Sequence, residues 1–518
     1  MRVAVVGSGV SGLAATWHLN EYTEHEVHLY EADGRPGGHA NTVTASQPGK
    51  TPVDVDTYIV FNPTTYPNFL RFLRLHPDIE ILKTEMTFSV SRDAGAFEWA
   101  GDGLRAVFCQ PLRVFDPGMW RMLYDVLRFN ACARSLLAEE DFEGKELSIG
   151  AYLEREGYSA GFRDDYILPM TAAVWSTPPD LCALDFPAKT LIRFFHNHHL
   201  LQIIGKPSWL TIAGGSKKYV NAILSKLPSS YLRLNTPVRS VHSNQDGGKT
   251  SVILHTEAGE TVVYDHVIFA CHSDQALKII EAGEGGATDD EKRILGRFGW
   301  SRNEVVLHSD ESFMPRSRLA WSCWNYLTTS GTGPDGTERA NSSQVSLPCS
   351  DYPLPRLIGS SDYMNGLQHI SVAKHGLLLA TLNPLSQPAP EKTLARFRYD
   401  HPILTGDAVR MQAEMPKIQN VRGLSFAGAW MRYGFHEDGF AAGLRAAATL
   451  GSSTSFQVEN AERAGAETVG LVARAFGLFE SSGARAAIGK VLSVWILTLF
   501  LLVDRVFAIQ HRQKDKTA

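Results

Sequence analysis

Residues 2–19 read RVAVVGSGVSGLAATWHL, and no other stretch narrows the choice of fold as far. An apolar run from Val3 to Val6 meets Gly7, Gly9 and Gly12, and an apolar period through Leu13, Ala14, Trp17 and Leu19 follows. Strand, glycine turn and helix in that order are the opening of a nucleotide-binding βαβ unit. Gly7 permits the tight turn, Gly9 lets the backbone approach a pyrophosphate, and Gly12 allows the helix to pack closely on the strand. The helix N-terminus then offers its amides to the phosphates. Ser8 and Ser11, inside the turn, are expected contacts of the same ligand. A second strand, EVHLYEA, reaches Glu31 and Ala32 about twenty residues downstream, where a carboxylate can accept hydrogen bonds from ribose hydroxyls. The pattern predicts an α/β chain with a dinucleotide site.

The length of 518 residues exceeds what one hydrophobic core organises and predicts two lobes with appendages. A formal net charge of -5 offers no basic footprint, so nucleic acid is not an expected partner. The six cysteines are scattered, with no C-x-x-C pair, which argues against a zinc site or a disulfide scaffold; no metal is expected. The first strand begins at residue 3 and leaves no room for a cleavable leader, which predicts a cytosol-facing protein.

The residues after Glu31 decide between dinucleotides. EADGRPGGHANTV (31–43) resembles the second nucleotide fingerprint of the flavin-containing amine oxidase superfamily, in which a paired-glycine turn, here Gly37 and Gly38, lies beside the pyrophosphate and the flavin. His39 and Ala40 follow that turn, and His39 stands where many members carry arginine. Imidazole offers fewer donors than a guanidinium, and its charge depends on pH, so the exchange is expected to alter cofactor grip. NTPVRSV (235–241) is similar to the strand whose backbone, near Val238, meets the adenine. YDHVIFACHSDQAL (264–277) looks like the strand that returns to the nucleotide domain. GLSFAGAWMRYGFHEDGFAAGLRAA (423–447) resembles the C-terminal flavin motif, with a strand ending at Gly428 and a helix opening near Gly439. Amides at Gly439 and Phe440 would then face the flavin's pyrimidine edge and stabilise the charge that gathers there on reduction. That motif disfavours a plain NAD dehydrogenase, and its lack of cysteine implies non-covalent FAD.

The resemblance implies an amine-oxidase-like two-lobed fold: a Rossmann-like FAD-binding domain, an inserted substrate domain and a hydrophobic C-terminal helix. The motif positions divide the FAD-binding domain into 1–60, 231–280 and 415–450. A mainly helical cap occupies 61–230, a second substrate segment 281–414, and a linker with a hydrophobic tail 451–518. The words GGHANTV, VDVDTYIVFNPTTYPNF, ILPMTAAVWSTPP, SWLTIAGGSKKYVNAI, ACHSDQAL and GFHEDGF are closest to one branch of predicted FAD/NAD(P)-binding flavoproteins often found beside cyclopropane-fatty-acid-synthase-type methyltransferases. Tyr58 departs from that branch, which carries glycine there.

For chemistry, His436, Trp430 and Tyr58 are the residues expected near the ring. His436 replaces an aromatic wall of the amine-binding cage and is read either as a hydrogen-bonding or proton-transferring group or as a helix cap. Glu437 and Asp438 suit a helix N-terminus and are read as structural. Lys206, Lys217 and Lys374 are candidates for the superfamily lysine that holds a water at the flavin, with none preferred. The expected function is FAD-dependent oxidation of a hydrophobic small molecule, an unsaturated or modified acyl chain, by hydride transfer. The alternatives are an amine oxidase releasing peroxide, a redox-neutral isomerase, or a membrane-associated flavin-fold binding protein without turnover. VLSVWILTLFLLV (491–503) carries no charge but reaches only about 20 Å against a hydrocarbon core of roughly 30 Å. Membrane association through 486–508, as a tail anchor or an interfacial helix at the cytoplasmic face, is therefore expected.

Overall fold

The computed structural model describes residues 1–57, 60–139, 147–175, 184–202, 205–246, 249–332, 338–340, 358–384, 386–451, 457–460, 470–491, 494–495 and 498. The chain opens with β1 (Arg2–Val6), α1 (Val10–Tyr22) and β2 (Glu26–Tyr30). After α2 (Pro67–Arg74) come β3 (Phe88–Arg92) and β4 (Phe97–Ala100), then a helical stretch with α3 (Pro117–Cys132), α4 (Leu168–Trp175) and α5 (Ala188–Asn197). β5 (Leu232–Arg233) and β6 (His266–Phe269) precede β7 (Gly299–His308), β8 (Trp324–Thr328), β9 (Ile358–Tyr363), β10 (Leu379–Leu382) and β11 (Thr393–Ile403). β12 (Leu424–Phe426), α6 (His436–Ala448) and α7 (Leu471–Ser481) follow. An antiparallel sheet of Val238–Asp246, Lys249–Thr256 and Thr261–Tyr264 sits between β5 and β6.

Five parallel strands in the order β12-β6-β1-β2-β5 form the nucleotide sheet. The last four residues of β1 are buried, as an apolar run must be when both faces of a parallel sheet are covered. α1 is buried from Ser11 to Leu19. Where α6 crosses it, a Cβ on Gly443 would fall 2.0 Å from the Ser11 carbonyl oxygen, so the two backbones touch with no side chain between them. α2 starts at Pro67, whose missing N–H costs nothing in a first turn. It turns Phe69, Leu70, Phe72 and Leu73 inward, with Phe72 edge-on to Trp17 at 4.9 Å. Asn68 and Phe69 present their first-turn amides to Glu437 of α6, whose carboxylate accepts them at 3.0 and 2.9 Å. The segment 457–460 is stitched to the same helix: the Glu459 amide donates to the Asn68 side chain, which donates back, and Arg71 donates to the Gln457 carbonyl.

The second lobe is built on seven strands in the order β11-β7-β10-β9-β8-β3-β4, antiparallel except for β8 beside β3. The stretch 61–230, expected as a mainly helical cap, thus also contributes two strands at one end of a sheet completed by 299–403. α3, α4 and α5 pack a core with Val90 of β3 and Tyr326 of β8. α7 docks on α3, where the Tyr124 hydroxyl donates to Glu480 and Phe476 meets the Tyr124 ring. Among the described residues no helix is long and apolar enough to cross a membrane. Most of 492–508 lies outside the described residues, as does Tyr58.

Candidate active site

The turn after β1 is held from beneath. The Gly7 amide donates to the Tyr30 carbonyl at 2.8 Å, and a Cβ on Gly12 would lie 1.8 Å from the Gly7 carbonyl oxygen. Gly12 therefore packs the helix onto the turn and does not itself line the cavity above. Gly38 adopts φ 56° and would place a Cβ 3.1 Å from the Gly9 Cα, so the two glycine loops lie against one another as a bare backbone cradle. Glu31 closes one end. Its carboxylate accepts from the Ser8 amide and from the Asp33 amide, each at 2.9 Å, and from the Ser8 hydroxyl.

A single cavity of about 530 Å³ opens above this cradle and continues between the two lobes. Of the residues expected near the cofactor or the ring, Gly7, Ser8, Gly9, Ser11, Glu31, Gly38, His39, Ala40, Gly428, Trp430 and His436 line it. Ala32, Val238, Gly439 and Phe440 do not. The Thr236 amide donates to the Glu31 carbonyl, which brings the strand preceding Val238 alongside Glu31 without turning Val238 into the cavity. α6 opens at His436, three residues before the expected start, because Asp438 accepts the Phe435 amide and caps the helix there. The Gly439 amide is consequently spent on the Phe435 carbonyl, and Phe440 is buried against Phe72. First-turn amides free of helix partners are instead those of His436, Glu437 and Asp438.

Three of the lining residues carry buried nitrogens with no hydrogen-bond partner: Arg35 Nη1, His39 Nε2 and His436 Nε2. Unpaired buried polar atoms on a cavity wall are the places where a polar ligand supplies the missing partners. Arg35 also donates to the Gly38 carbonyl at 2.8 Å, which fixes its guanidinium beside the cradle. His39 packs 4.8 Å from the Tyr399 ring and 5.2 Å from His401, and His272, stacked on Trp300 at 3.8 Å, stands beyond. Burial, then His401, His272 and Arg35, push the His39 imidazole well below its usual range. It is neutral at physiological pH, so the fixed positive charge at the cradle comes from Arg35 and the α1 N-terminus. Arg35 was missed in the sequence, although it sits two residues before the paired glycines.

Trp430 is almost wholly buried, edge-on to Phe298 at 4.6 Å, and its indole N–H donates to the Cys271 carbonyl at 3.1 Å. Its one polar atom is spent on the framework, which leaves the ring to the cavity as an apolar wall. His436 meets Phe69 at 4.8 Å and Tyr219 at 5.5 Å, and burial pushes its imidazole down to about 3. It is a neutral hydrogen-bonding group, and no imidazolium forms near neutral pH. Glu437 and Asp438 are structural, one capping α2 and the other α6. Lys206, Lys217 and Lys374 stay away from the cavity; Lys217 pairs with Asp54, and among the described residues no lysine lines the cavity.

Away from the cradle the lining turns apolar: Val60, Met86, Val174, Trp175, Phe194 and Leu200. Its floor is one face of the seven-stranded sheet. Trp324 stands across from Asp362 on β9, and Ser360 across from Leu382. Tyr399 and His401 continue that face on β11, where alternation through Phe397, Tyr399 and His401 was the available signal.

This arrangement fits a flavin dinucleotide: a phosphate cradle of bare backbone, a ribose-side carboxylate, unpaired donors around the turn, and a helix N-terminus at the far edge. No curated protein sequence matches the chain. The fold is shared with cyclohexylamine oxidase from Brevibacterium oxydans IH-35A, at 15% identity over 87% of this chain and 98% of that one, TM-score 0.56. A CLA-producing fatty acid isomerase from P. acnes matches at 13% identity over 87% and 98%, TM-score 0.57. Reduced UDP-galactopyranose mutase matches at 17% over 91% and 100%, TM-score 0.57. The sequence profile described as flavin containing amine oxidoreductase covers residues 10–352, and the chain accordingly belongs to that family of flavin-dependent oxidoreductases.

Proposed function

We propose that the protein binds FAD without a covalent link and oxidises a hydrophobic small molecule, an unsaturated or modified acyl chain. The observation that carries the reading is the continuity of one cavity from the Gly7–Gly9 cradle to the apolar chamber of Met86, Val174, Trp175, Phe194 and Leu200. A bound flavin supplies the hydride acceptor at N5. The chain's own residues hold its phosphates on the α1 N-terminus and Arg35, surround the reacting bond with apolar side chains that exclude water, and offer neutral His436 as a hydrogen-bonding partner. A fatty acid isomerase of the same fold supports an acyl ligand, as does the resemblance to the lipid-linked branch.

Anaerobic bleaching of bound flavin by fractionated acyl lipids, set against a panel of amines, tests the reading. Bleaching by lipids is expected. Bleaching by amines alone would make the protein an amine oxidase proper, and an isomerised lipid recovered without net bleaching would make the reaction redox-neutral. The tail belongs to the same reading. Val491, Val494 and Trp495 are exposed, and the uncharged run they begin suits attachment to the cytoplasmic face of a membrane. Pelleting with vesicles is expected for the full chain and should be lost on removal of residues 485–518; equal pelleting of both forms refutes the attachment.

A further inference from the structure

We propose that Asp362 determines specificity in the apolar chamber, selecting ligands whose polar end donates a hydrogen bond, a hydroxyl or an ammonium, and turning away free carboxylates. The inference rests on the reading of that chamber as the substrate site. Asp362 lies on β9, faces the cavity and is 9% exposed. Its cross-strand neighbours are Trp324 on β8 and Ala380 on β10, neither of which carries a charge that could neutralise it. Among the described residues the one polar side chain acting on it is Ser360, two residues away on the same strand face, and no cation is close enough to register.

Two acids beside the cavity are engaged, while a third, Asp400, lines the cavity with a partnerless buried Oδ1 and acts on His272. Glu437 accepts from two amides and an amide side chain, and Asp438 caps α6. Asp362 stands on the apolar wall with acceptor capacity beyond its bond from Ser360. Burying a carboxyl whose one side-chain partner is the Ser360 hydroxyl costs stability, and burial here pushes it up to about 7; a ligand donor would satisfy its remaining oxygen sites. A ligand carboxylate in the same position would face a like charge whenever Asp362 is ionised, and among the described residues no cation acts on Asp362 to compensate. Trp324 across the ladder gives a donor-bearing ligand an aromatic face beside the carboxyl, which favours an ammonium further.

The test is calorimetric binding to the FAD-loaded full chain with three ligands of one chain length: octan-1-ol, octylamine and octanoate. Wild type should bind the alcohol and the amine at least about tenfold more tightly than the carboxylate. Asp362→Asn keeps an acceptor and removes the charge, so octanoate should gain about tenfold, octylamine should lose about tenfold and octanol should hardly move. Asp362→Leu removes the acceptor and should abolish the octanol advantage; if that variant fails to retain FAD, the asparagine series decides. Octanoate binding wild type as tightly as octanol overturns the proposal, as does an asparagine variant with an unchanged carboxylate-to-amine ratio. A response confined to octylamine assigns the donor as ammonium, and one shared with octanol in the leucine variant assigns hydroxyl as well. Because binding is read without turnover, donor selectivity with no bleaching by any lipid leaves the assignment of Asp362 standing and removes only the acyl oxidation.

Discussion

Two helical glycines should respond to the same substitution with opposite signs. Gly443 sits where α6 crosses α1, and a Cβ there would be 2.0 Å from the Ser11 carbonyl oxygen, 2.9 Å from its carbon and 3.0 Å from the Ala14 Cβ. The nearest atoms are backbone, so no side chain can swing aside. To reach ordinary contact the helices must part by roughly 1 Å or more, in an interior that has little slack. Overpacking of this kind costs about 1–3 kcal/mol, against which alanine's better helix propensity returns about 1 kcal/mol. With backbone oxygen at 2.0 Å the cost falls at the upper end of that range, and Gly443→Ala should lose roughly 2 kcal/mol in urea unfolding of the apoprotein. Ser11 belongs to the first turn of α1 on the phosphate cradle, so a shift of that size should also weaken FAD by about tenfold in a fluorescence titration. Gly477, inside α7, has nothing within 4 Å of an added Cβ, and Gly477→Ala should gain about 0.5–1 kcal/mol with no change in FAD affinity. A Gly443→Ala protein as stable as wild type, binding FAD normally, would refute the close-crossing argument.

Arg35→Ala should weaken FAD by about ten- to a hundredfold in equilibrium dialysis, and His39→Ala by less, because the guanidinium carries the charge and the imidazole is neutral; a larger loss for His39 reverses that assignment. Glu437→Ala strands the Asn68 and Phe69 amides and one N–H of the Asn68 side chain, and should cost about 2–3 kcal/mol in denaturant unfolding; a loss under about 0.5 kcal/mol would show that water replaces the carboxylate. The pH dependence of stability has a definite sign. His18, His266, His308 and His401 are pushed to about 4, His198 and His436 to about 3, and His39 also downward, all by burial first. Below the unfolded histidine value of 6.5 the unfolded chain binds protons the folded one refuses, so stability is lost as pH falls from 6.5 toward 4. Asp362 and Glu437, raised to about 7, and Asp165 and Asp438, raised to about 6, act oppositely in that window, but the histidines outnumber them. The melting temperature should drop on acidification from 6.5 to 4, and a flat profile refutes the neutral-histidine assignment.

Much of the nucleotide half was legible because its signals are local. The β1 run, the glycines of the turn and Glu31 fall within some thirty residues, and each is demanded by backbone approach or by a ribose hydroxyl. The start of α6 was misplaced by three residues because Gly439 reads as an opening, whereas Asp438 capping the Phe435 amide decides it. Trp430 looked available for chemistry; only the fold shows its N–H bound to Cys271, far away in sequence. The chamber floor was the least legible part. Asp362, Trp324 and Tyr399 reach one cavity through strand pairings that join distant segments, and a short polar stretch such as IGSSDY gives no hint of which face looks into a cavity. Arg35 was visible as a residue and invisible as a partnerless donor.

The stitching of residues 457–460 and the docking of α7 have a mechanical consequence. After α6 the chain is fastened to the cofactor lobe through Asn68 and Arg71, and then to the helical lobe through Tyr124 and Glu480. Anything that pulls on the C-terminal end loads these fasteners in series before it reaches the helix beside the flavin. The tail thus works as a strain relief, as on an electrical cable: tension from outside is taken up on the surfaces of both lobes, and the cofactor cradle keeps its shape.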